Sequence, residues 1–394
     1  MQACKTSKKV VSTPIRIEIE TEAIAMDDAN IPIYLRSDYL AAFQESLLGK
    51  SRLFFSVVYK GSEVIAFGSM QEIKIAAASI HSFGRLFSSD KSIIICIEGM
   101  LKSFVSSLNR KAGIKLLVVG NTQVSGPYGM WFKEGLNETE KAHYWEAVLQ
   151  KIESSDLNVD IILVKDLDAS QLLIKNALVS NKYKEISTLP IMKMEIPSNW
   201  ESAEDYYAAF SSKYRIRANS ARKKTIGITR RELDLSDLFK YKEEMQLLYT
   251  NVYTRARFRL FQVQNNYFIE MKKCLKDDFK VFGYFYKEEM VSFHTLIFRN
   301  NSCEAHLIGL NYDFNKSHAL YQNMLYDCVE EAILNKAFCI DFGRTAMEIK
   351  STIGAIPFEA DVLLKFTNPL LNNIASFILK KNTTEKWVQR HPFK

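Results

Sequence analysis

The chain has 394 residues, 47% hydrophobic and 25% charged, with 25 Phe, 18 Tyr and 4 Trp against only 15 Gly and 8 Pro. That composition excludes a disordered, fibrous or low-complexity protein, and at roughly 100–200 residues per domain the length implies two or three domains. The 52 Lys and Arg exceed the 45 Asp and Glu by a net +7, a mild excess that suits a phosphate-bearing ligand or an anionic membrane surface and requires neither.

No apolar run approaches the ~18–20 residues that crossing a bilayer requires. The N-terminus carries Lys5, Lys8 and Lys9 and runs into Ser12, Thr13 and Pro14 with no apolar stretch between, so no secretory leader is expected and the expected compartment is the cytoplasm. Cys4, Cys96, Cys274, Cys303, Cys328 and Cys339 are scattered with no CxxC pair, which argues against disulfides and structural zinc.

Along the chain, a strand at 15–19 precedes two apolar runs, 53–59 and 63–73, that flank Lys60-Gly61-Ser62 and read as a hairpin. Ile94, Ile97, Met100, Leu101, Phe104 and Leu108 recur at helical spacing. Strands at 115–119 and 159–164 bracket a helix at 138–153, and a strand at 189–196 ends at Ile196-Pro197-Ser198-Asn199, where Ser198 is placed to cap a helix. Helices at 202–224, 235–254 and 265–274 follow. Then come strands 279–286, 290–299 and 302–310, a helix from Ser317 to Lys336, and strands 338–342 and 360–366. The pattern predicts an α+β fold of layered α/β character, with mixed, mostly antiparallel sheets flanked by helices. Both halves share an element order, so the expected division is 1–196 and 197–394, the second half carrying the main cleft.

The richest stretch runs from His306 to Tyr321 and on to Ile340-Asp-Phe-Gly-Arg-Thr345. A strand ending at Leu310 leads through Asn315, Lys316 and Ser317 into an amphipathic helix, whose free amides and Lys316 favour an anion such as a pyrophosphate; Ser317 as a plain N-cap is the competing reading. Asp341, Gly343 and Arg344 end a strand where open sheets place ligand groups, and Lys350 follows; an Asp341–Arg344 ion pair closing a turn is equally compatible. His294, His306 and His318 each offer a general base or a hydrogen-bonded core or cap residue, and His294 and His306 fall on neighbouring strands that can share a cavity. No HxH, HxxxH or HExxH spacing exists, so no metal site is expected.

The run 213–231 holds eight Lys or Arg in nineteen residues and reads as a solvated helix face that also meets a phosphate-bearing substrate rather than as a nucleic-acid motif. The Gly120–Gly129 loop lacks both GxGxxG and a Walker Lys, and no GxSxG elbow is present. Tyr249, Tyr253, Phe258, Phe261, Tyr267 and Phe268 line an acyl tunnel or form ordinary core. The ending, from Phe377 through Trp387 to Lys394, reads as an interfacial segment or as a piece docked on the body.

Tyr206-Tyr-Ala-Ala-Phe-Ser-Ser-Lys-Tyr-Arg215, Leu320-Tyr-Gln-Asn-Met-Leu-Tyr-Asp327, Ile340-Asp-Phe-Gly-Arg-Thr345 and Glu348-Ile-Lys-Ser-Thr-Ile-Gly-Ala355 together resemble the GNAT-superfamily N-acyltransferases of the Fem-like branch. That branch includes the predicted N-acyltransferases once labelled peptidoglycan biosynthesis proteins; the segment Leu117–Asn121 with Gly126 is similar to its first half. The resemblance spans about 50–366 and implies tandem GNAT folds, an acyl thioester as donor and an amine as acceptor, with no permanently bound cofactor. Carried over, Leu310, Asn315, Lys316, Ser317 and His318 would receive the pantetheine and pyrophosphate of acyl-CoA. Asp341, Gly343, Arg344, Lys350 and Arg215 would border the substrate. His294 or His306 would act as base, Tyr312 or Tyr321 as the acid for the thiolate, and amides of 308–310 as oxyanion donors. The Arg/Gln-x-x-Gly-x-Gly/Ala loop of the pattern is replaced by Asn315-Lys316-Ser317, which leaves acyl-CoA, acyl carrier protein and aminoacyl-tRNA open as donors. The implied acceptor is a small-molecule or lipid amine, an amino-lipid or cell-envelope precursor among them, with peripheral contact at the inner membrane face. A Fem-type aminoacyltransferase of peptidoglycan and a non-catalytic binding protein are the competing functions.

Overall fold

The apolar runs of the first half become strands that are buried on both faces. β1 (Ile15–Glu20) and helix α1 (Ser37–Leu47) lead into the hairpin of β2 (Ser51–Lys60) and β3 (Glu63–Ile75), with Gly61 at φ 68° in the turn, a conformation that costs only glycine nothing. Next come α2 (Lys91–Ser107), β4 (Ile114–Val119), β5 (Met130–Phe132), α3 (Glu138–Glu153), β6 (Ile161–Leu167), α4 (Leu172–Ser180) and β7 (Lys184–Ile186). Helix α3 starts where it does because Asn137 and Glu140 satisfy each other's backbone amides in a capping box. The computed structural model describes residues 14–26, 30–47, 51–76, 91–107, 113–256, 261–379 and 387–394; the segment read for a leader, Cys4, Phe258 and Leu108 lie outside the described residues.

The second half begins with β8 (Ile191–Glu195), then α5 (Ala203–Ala209), α6 (Ser212–Lys223), β9 (Ile228–Glu232), α7 (Leu235–Lys240), α8 (Lys242–Arg255) and α9 (Tyr267–Leu275). The meander β10 (Phe279–Tyr286), β11 (Glu289–Arg299) and β12 (Ser302–Leu310) precedes α10 (Tyr312–His318), α11 (Leu320–Leu334) and β13 (Cys339–Asp341). The chain closes with α12 (Met347–Ser351), β14 (Ile356–Phe358), β15 (Asp361–Phe366) and α13 (Pro369–Leu379). Before the meander, three helix boundaries differ from expectation. Ser202, not Ser198, caps α5 through a box with Asp205; the 202–224 helix breaks at Phe210, whose extended backbone seats its ring in the core; and the 235–254 helix breaks at Tyr241.

Two mixed sheets result, with strand orders β1-β2-β3-β4-β6-β15-β7 and β14-β8-β13-β12-β11-β10-β9, and β5 beside β3. Among the named strand pairs only β4–β6 and β12–β13 are parallel, and their connections cross over through α3 in the first case and through α10 and α11 in the second. The fold class is therefore the expected one. The sheets, however, do not divide at 196/197: β8 is built into the second sheet and β15 into the first. The reason lies in edge pairing, since β8 bonds β13 and β14 while β15 fills the gap between β6 and β7. One apolar core runs across both halves, joining Tyr39, Phe43 and Phe55 of the first to Tyr267, Phe268 and Phe293 of the second. No helix among the described residues is long and apolar enough to cross a membrane. The ending docks on the body, with Phe393 stacked on Phe210 at 5.4 Å.

Candidate active site

The parallel pair β12–β13 lasts only from Ser302↔Cys339 to Glu304↔Asp341. Beyond it the chains part, because Phe342 and Gly343 bond Met192 on β8 while β12 stays with β11 as far as Leu310. A bulge opposite His294–Leu296 bends β12, and the Thr295 hydroxyl bridges both the N–H and the C=O of Leu307. Asn311 donates its N–H to Val291, so the antiparallel alternation turns the amides of Ile308 and Leu310 to the free edge. Between the parted strands lies a cleft of about 320 Å³. Its walls are β12, helices α8 and α11 and the Phe342–Thr345 turn, and Gln123 and Ser125 reach in from the first half.

His294 and His306 both line this cleft. The His294 ring is buried, its Nδ1 lies 3.1 Å from the Tyr284 hydroxyl and its Nε2 has no partner. Burial, and then Arg230, hold it well below the usual imidazole range. His306 meets the Tyr267 hydroxyl through Nε2 at 2.6 Å, leaves Nδ1 without a partner and is pushed down to about 3 by burial. Both rings are therefore neutral at pH 7 and present ring nitrogens as acceptors or donors. Tyr321 also lines the cleft, with burial raising its hydroxyl, so it is a proton donor that does not ionise.

Other expected residues are placed differently. Ser317 does not begin the long helix: it lies in the last turn of α10, donating to the carbonyls of Asp313 and Phe314, and Ala319 at φ 50° separates α10 from α11. The first turn of α11 offers less to an anion than expected, because Asn315 Oδ1 already accepts the Tyr321 N–H at 2.9 Å. Lys316 and Ser317 are exposed, and His318 stacks on Phe314 outside the cleft. Tyr312 is not a cleft residue either; it lies under the Arg255 guanidinium, 3.7 Å away. Arg215 binds the carbonyls of Ala208 and Phe210 at the end of α5, away from the cleft. Arg344 borders the cleft but is committed elsewhere: it holds Asp166 of the first half at 2.6 Å, Thr188, and the carbonyls of Leu189 and Ala360. An Asp341–Arg344 pair does not form. The buried Lys350 ammonium binds the carbonyls of Phe342, Gly343 and Arg344 at 2.6, 3.3 and 3.0 Å and is pushed down to about 8 by burial, which makes it the clamp of that turn. Three of the eight cations of the basic run, Arg222, Arg230 and Arg231, pair with acids on α11 and α7.

The sequence reading missed Glu304 and Asp327. Glu304 lines the cleft at the fork, hydrogen-bonded by Tyr34 at 2.7 Å, and burial followed by the neighbouring Asp341 pushes it up to about 7. Asp341 Oδ1 accepts from Gly343, and its Oδ2 has no hydrogen bond. Asp327 lies on the apolar stripe of α11 between Met324 and Ala332, where an acid at a core position is a signal of its own.

No protein-family model and no curated protein matches the chain. Among solved structures it is similar to FemX at 12% identity, covering 85% of this chain and 93% of that one with a TM-score of 0.52. It is also similar to a tandem GNAT protein from the clavulanic acid biosynthesis pathway, at 8% identity, 90% and 99% coverage and TM-score 0.45, and to a GCN5-related N-acetyltransferase from Sphaerobacter thermophilus, at 8%, 90%, 96% and 0.40. At this identity the likeness to FemX is one of fold alone.

Proposed function

We propose that the protein transfers an acyl group from an activated donor to an amine, within the second-half cleft. The observation that carries this reading is the fork of β12 and β13, which brings free backbone amides and neutral histidines to one cleft. An acyl carbonyl against the Ile308 or Leu310 amide gains a donor for the oxyanion that forms when the amine attacks. The attacking nitrogen must lose a proton as its new bond to carbon forms, and a neutral imidazole in the same cleft accepts it. Tyr321 donates a hydrogen bond to the departing group, which takes its proton from the imidazole. An acyl thioester, on coenzyme A or on acyl carrier protein, is the donor, and a small-molecule or lipid amine the acceptor; both are substrates.

One observation favours a second reading, an aminoacyl-tRNA donor. Asn315 occupies an amide of the α11 start that a coenzyme A pyrophosphate would use. Thermal unfolding against acetyl-CoA, palmitoyl-CoA, free CoA and bulk tRNA separates the two, since a ligand at one hundred times its dissociation constant stabilises the folded state by about 2.7 kcal/mol. A shift with an acyl-CoA supports the thioester, and a shift with tRNA alone replaces it. His294→Ala and His306→Ala are expected to differ: the residue that takes the proton loses roughly 10²-fold or more in turnover, and wild-type turnover in both variants would remove the histidines from the scheme.

A further inference from the structure

Helix α11 turns Asp327 inward, and its two oxygens have different partners. Oδ1 receives the Arg222 guanidinium at 2.5 Å, and Oδ2 accepts the Tyr284 hydroxyl, with Arg230 Nε 3.8 Å away. Tyr284 on β10 lies 3.1 Å from His294 Nδ1 on β11. Phe282 stacks on the imidazole at 5.1 Å and fixes the ring plane. The other nitrogen, Nε2, is buried, has no partner, and belongs to a ring that lines the cleft.

Hydrogen-bond inventory determines the direction of this chain. A carboxylate between two guanidiniums accepts only, so Tyr284 spends its single proton on Asp327. Its oxygen then has lone pairs alone to offer His294, and Nδ1 must be the donor. A neutral imidazole carries one N–H, which leaves Nε2 bare.

We propose that Asp327 and Tyr284 are positioning residues that lock His294 in the Nδ1–H tautomer, so that Nε2 faces the cleft as the proton acceptor for the attacking amine. The inference rests on the transferase reading of the cleft. A histidine buried beside Arg230 resists becoming a cation, and the Tyr284 oxygen with the Asp327 carboxylate behind it offsets that cost while the proton is held. As the N–C bond forms, the amine N–H breaks and its proton joins Nε2, with Nδ1–H still donated to Tyr284. As the bond from the acyl carbon to the leaving group breaks, the leaving group takes the proton from Nε2, and the ring is neutral again in its starting tautomer.

The test is ¹⁵N NMR of the His294 ring nitrogens in the full chain, assigned by loss of the signal in His294→Gln, together with turnover of acyl-CoA on an amine. The expected result is the Nδ1–H tautomer in the wild type. Tyr284→Phe keeps the ring volume and is expected to shift His294 toward the Nε2–H form, with kcat falling roughly ten- to a hundredfold and KM within about twofold. Asp327→Asn is expected to act in the same direction, and where it fails to fold the Tyr284 variant carries the decision. An Nε2–H tautomer in the wild type overturns the proposal, as does a Tyr284→Phe protein with unchanged tautomer and turnover. A wild-type chain in the Nδ1–H form that transfers no acyl group overturns the transferase reading and leaves the lock in place, so the two failures are distinguishable.

Discussion

The two acids at the fork make the cleft floor sensitive to pH. Glu304 and Asp341 face each other in the β12–β13 ladder, both buried, so desolvation raises both carboxyls, and the Asp341 charge adds to the rise of Glu304, to about 7 against an ordinary 4.5. The folded chain therefore holds a proton that the unfolded chain releases between those pH values. The associated stability is complete below pH ~4.5 and is lost as pH rises through 7, on the order of 3 kcal/mol shared by the pair. Glu304→Gln keeps an acceptor for Tyr34 and removes the titration. Its urea midpoint is expected to vary less than the wild type's between pH 5 and 8 and to exceed it at pH 8; an unchanged slope would assign the effect to another group. The two cleft histidines were legible in the sequence because strand neighbours are local. Glu304 was not, since its environment comes from Tyr34, 270 residues away.

At the scale of elements, the docked ending and the glycines beneath it decide how well the second half is closed. Gly354 has φ 111°, and a Cβ there would lie 2.5 Å from the Phe393 ring. Phe393 in turn packs on Phe210, Trp200 and Tyr206. Gly354→Ala is expected to displace the ending and cost about 2 kcal/mol or more, through strain and lost aromatic packing. Limited proteolysis checks it: cleavage before Trp387 should quicken in the variant, and an unchanged rate would mean the ring moves aside without undocking. Helix existence was legible here from periodicity. The breaks at Phe210 and Tyr241 were not, because burying the Phe210 ring overrides local propensity.

At the scale of the molecule, only one of the two forks is open. In the first half β4 and β6 part after Val119↔Val164, but Lys165 binds the Val124 carbonyl at 2.6 Å and Asp166 accepts the Gly126 N–H at 3.0 Å, so the loop fills the gap. Asp166 is fully buried and also takes Arg344. That pair ties the closed fork of one half to the open fork of the other. Removing Arg344 leaves the buried Asp166 with Lys165 as its remaining cation, and Arg344→Met is expected to lose about 3 kcal/mol, read as a lower urea midpoint. A change below 1 kcal/mol would show that Lys165 alone neutralises Asp166. The exchanged strands make a second prediction: a fragment ending at 196 lacks β15 and carries β8 without its sheet, so it is expected to be insoluble or unfolded by circular dichroism. A cooperatively folded fragment would show that β15 is dispensable to the first sheet.

The amino-acid sequence by itself determined the strands other than the short β5, β7, β9 and β14, the hairpins, the two helix crossovers and the pair of histidines beside the fork. These follow from period, turn residues and neighbours within a few positions, which act on the chain before any distant contact forms. Only the tertiary structure decided which strand enters which sheet, that Arg344 serves Asp166 rather than Asp341, that Asn315 occupies an amide of α11, and that Asp327 reaches His294 through Tyr284. Each of these is settled by which buried polar group finds a partner. The partners lie far apart in sequence, as with Arg222 and Asp327 at 105 residues and Arg344 and Asp166 at 178, so no local pattern encodes them. What selects them is the cost of leaving any such group unpaired inside the folded molecule.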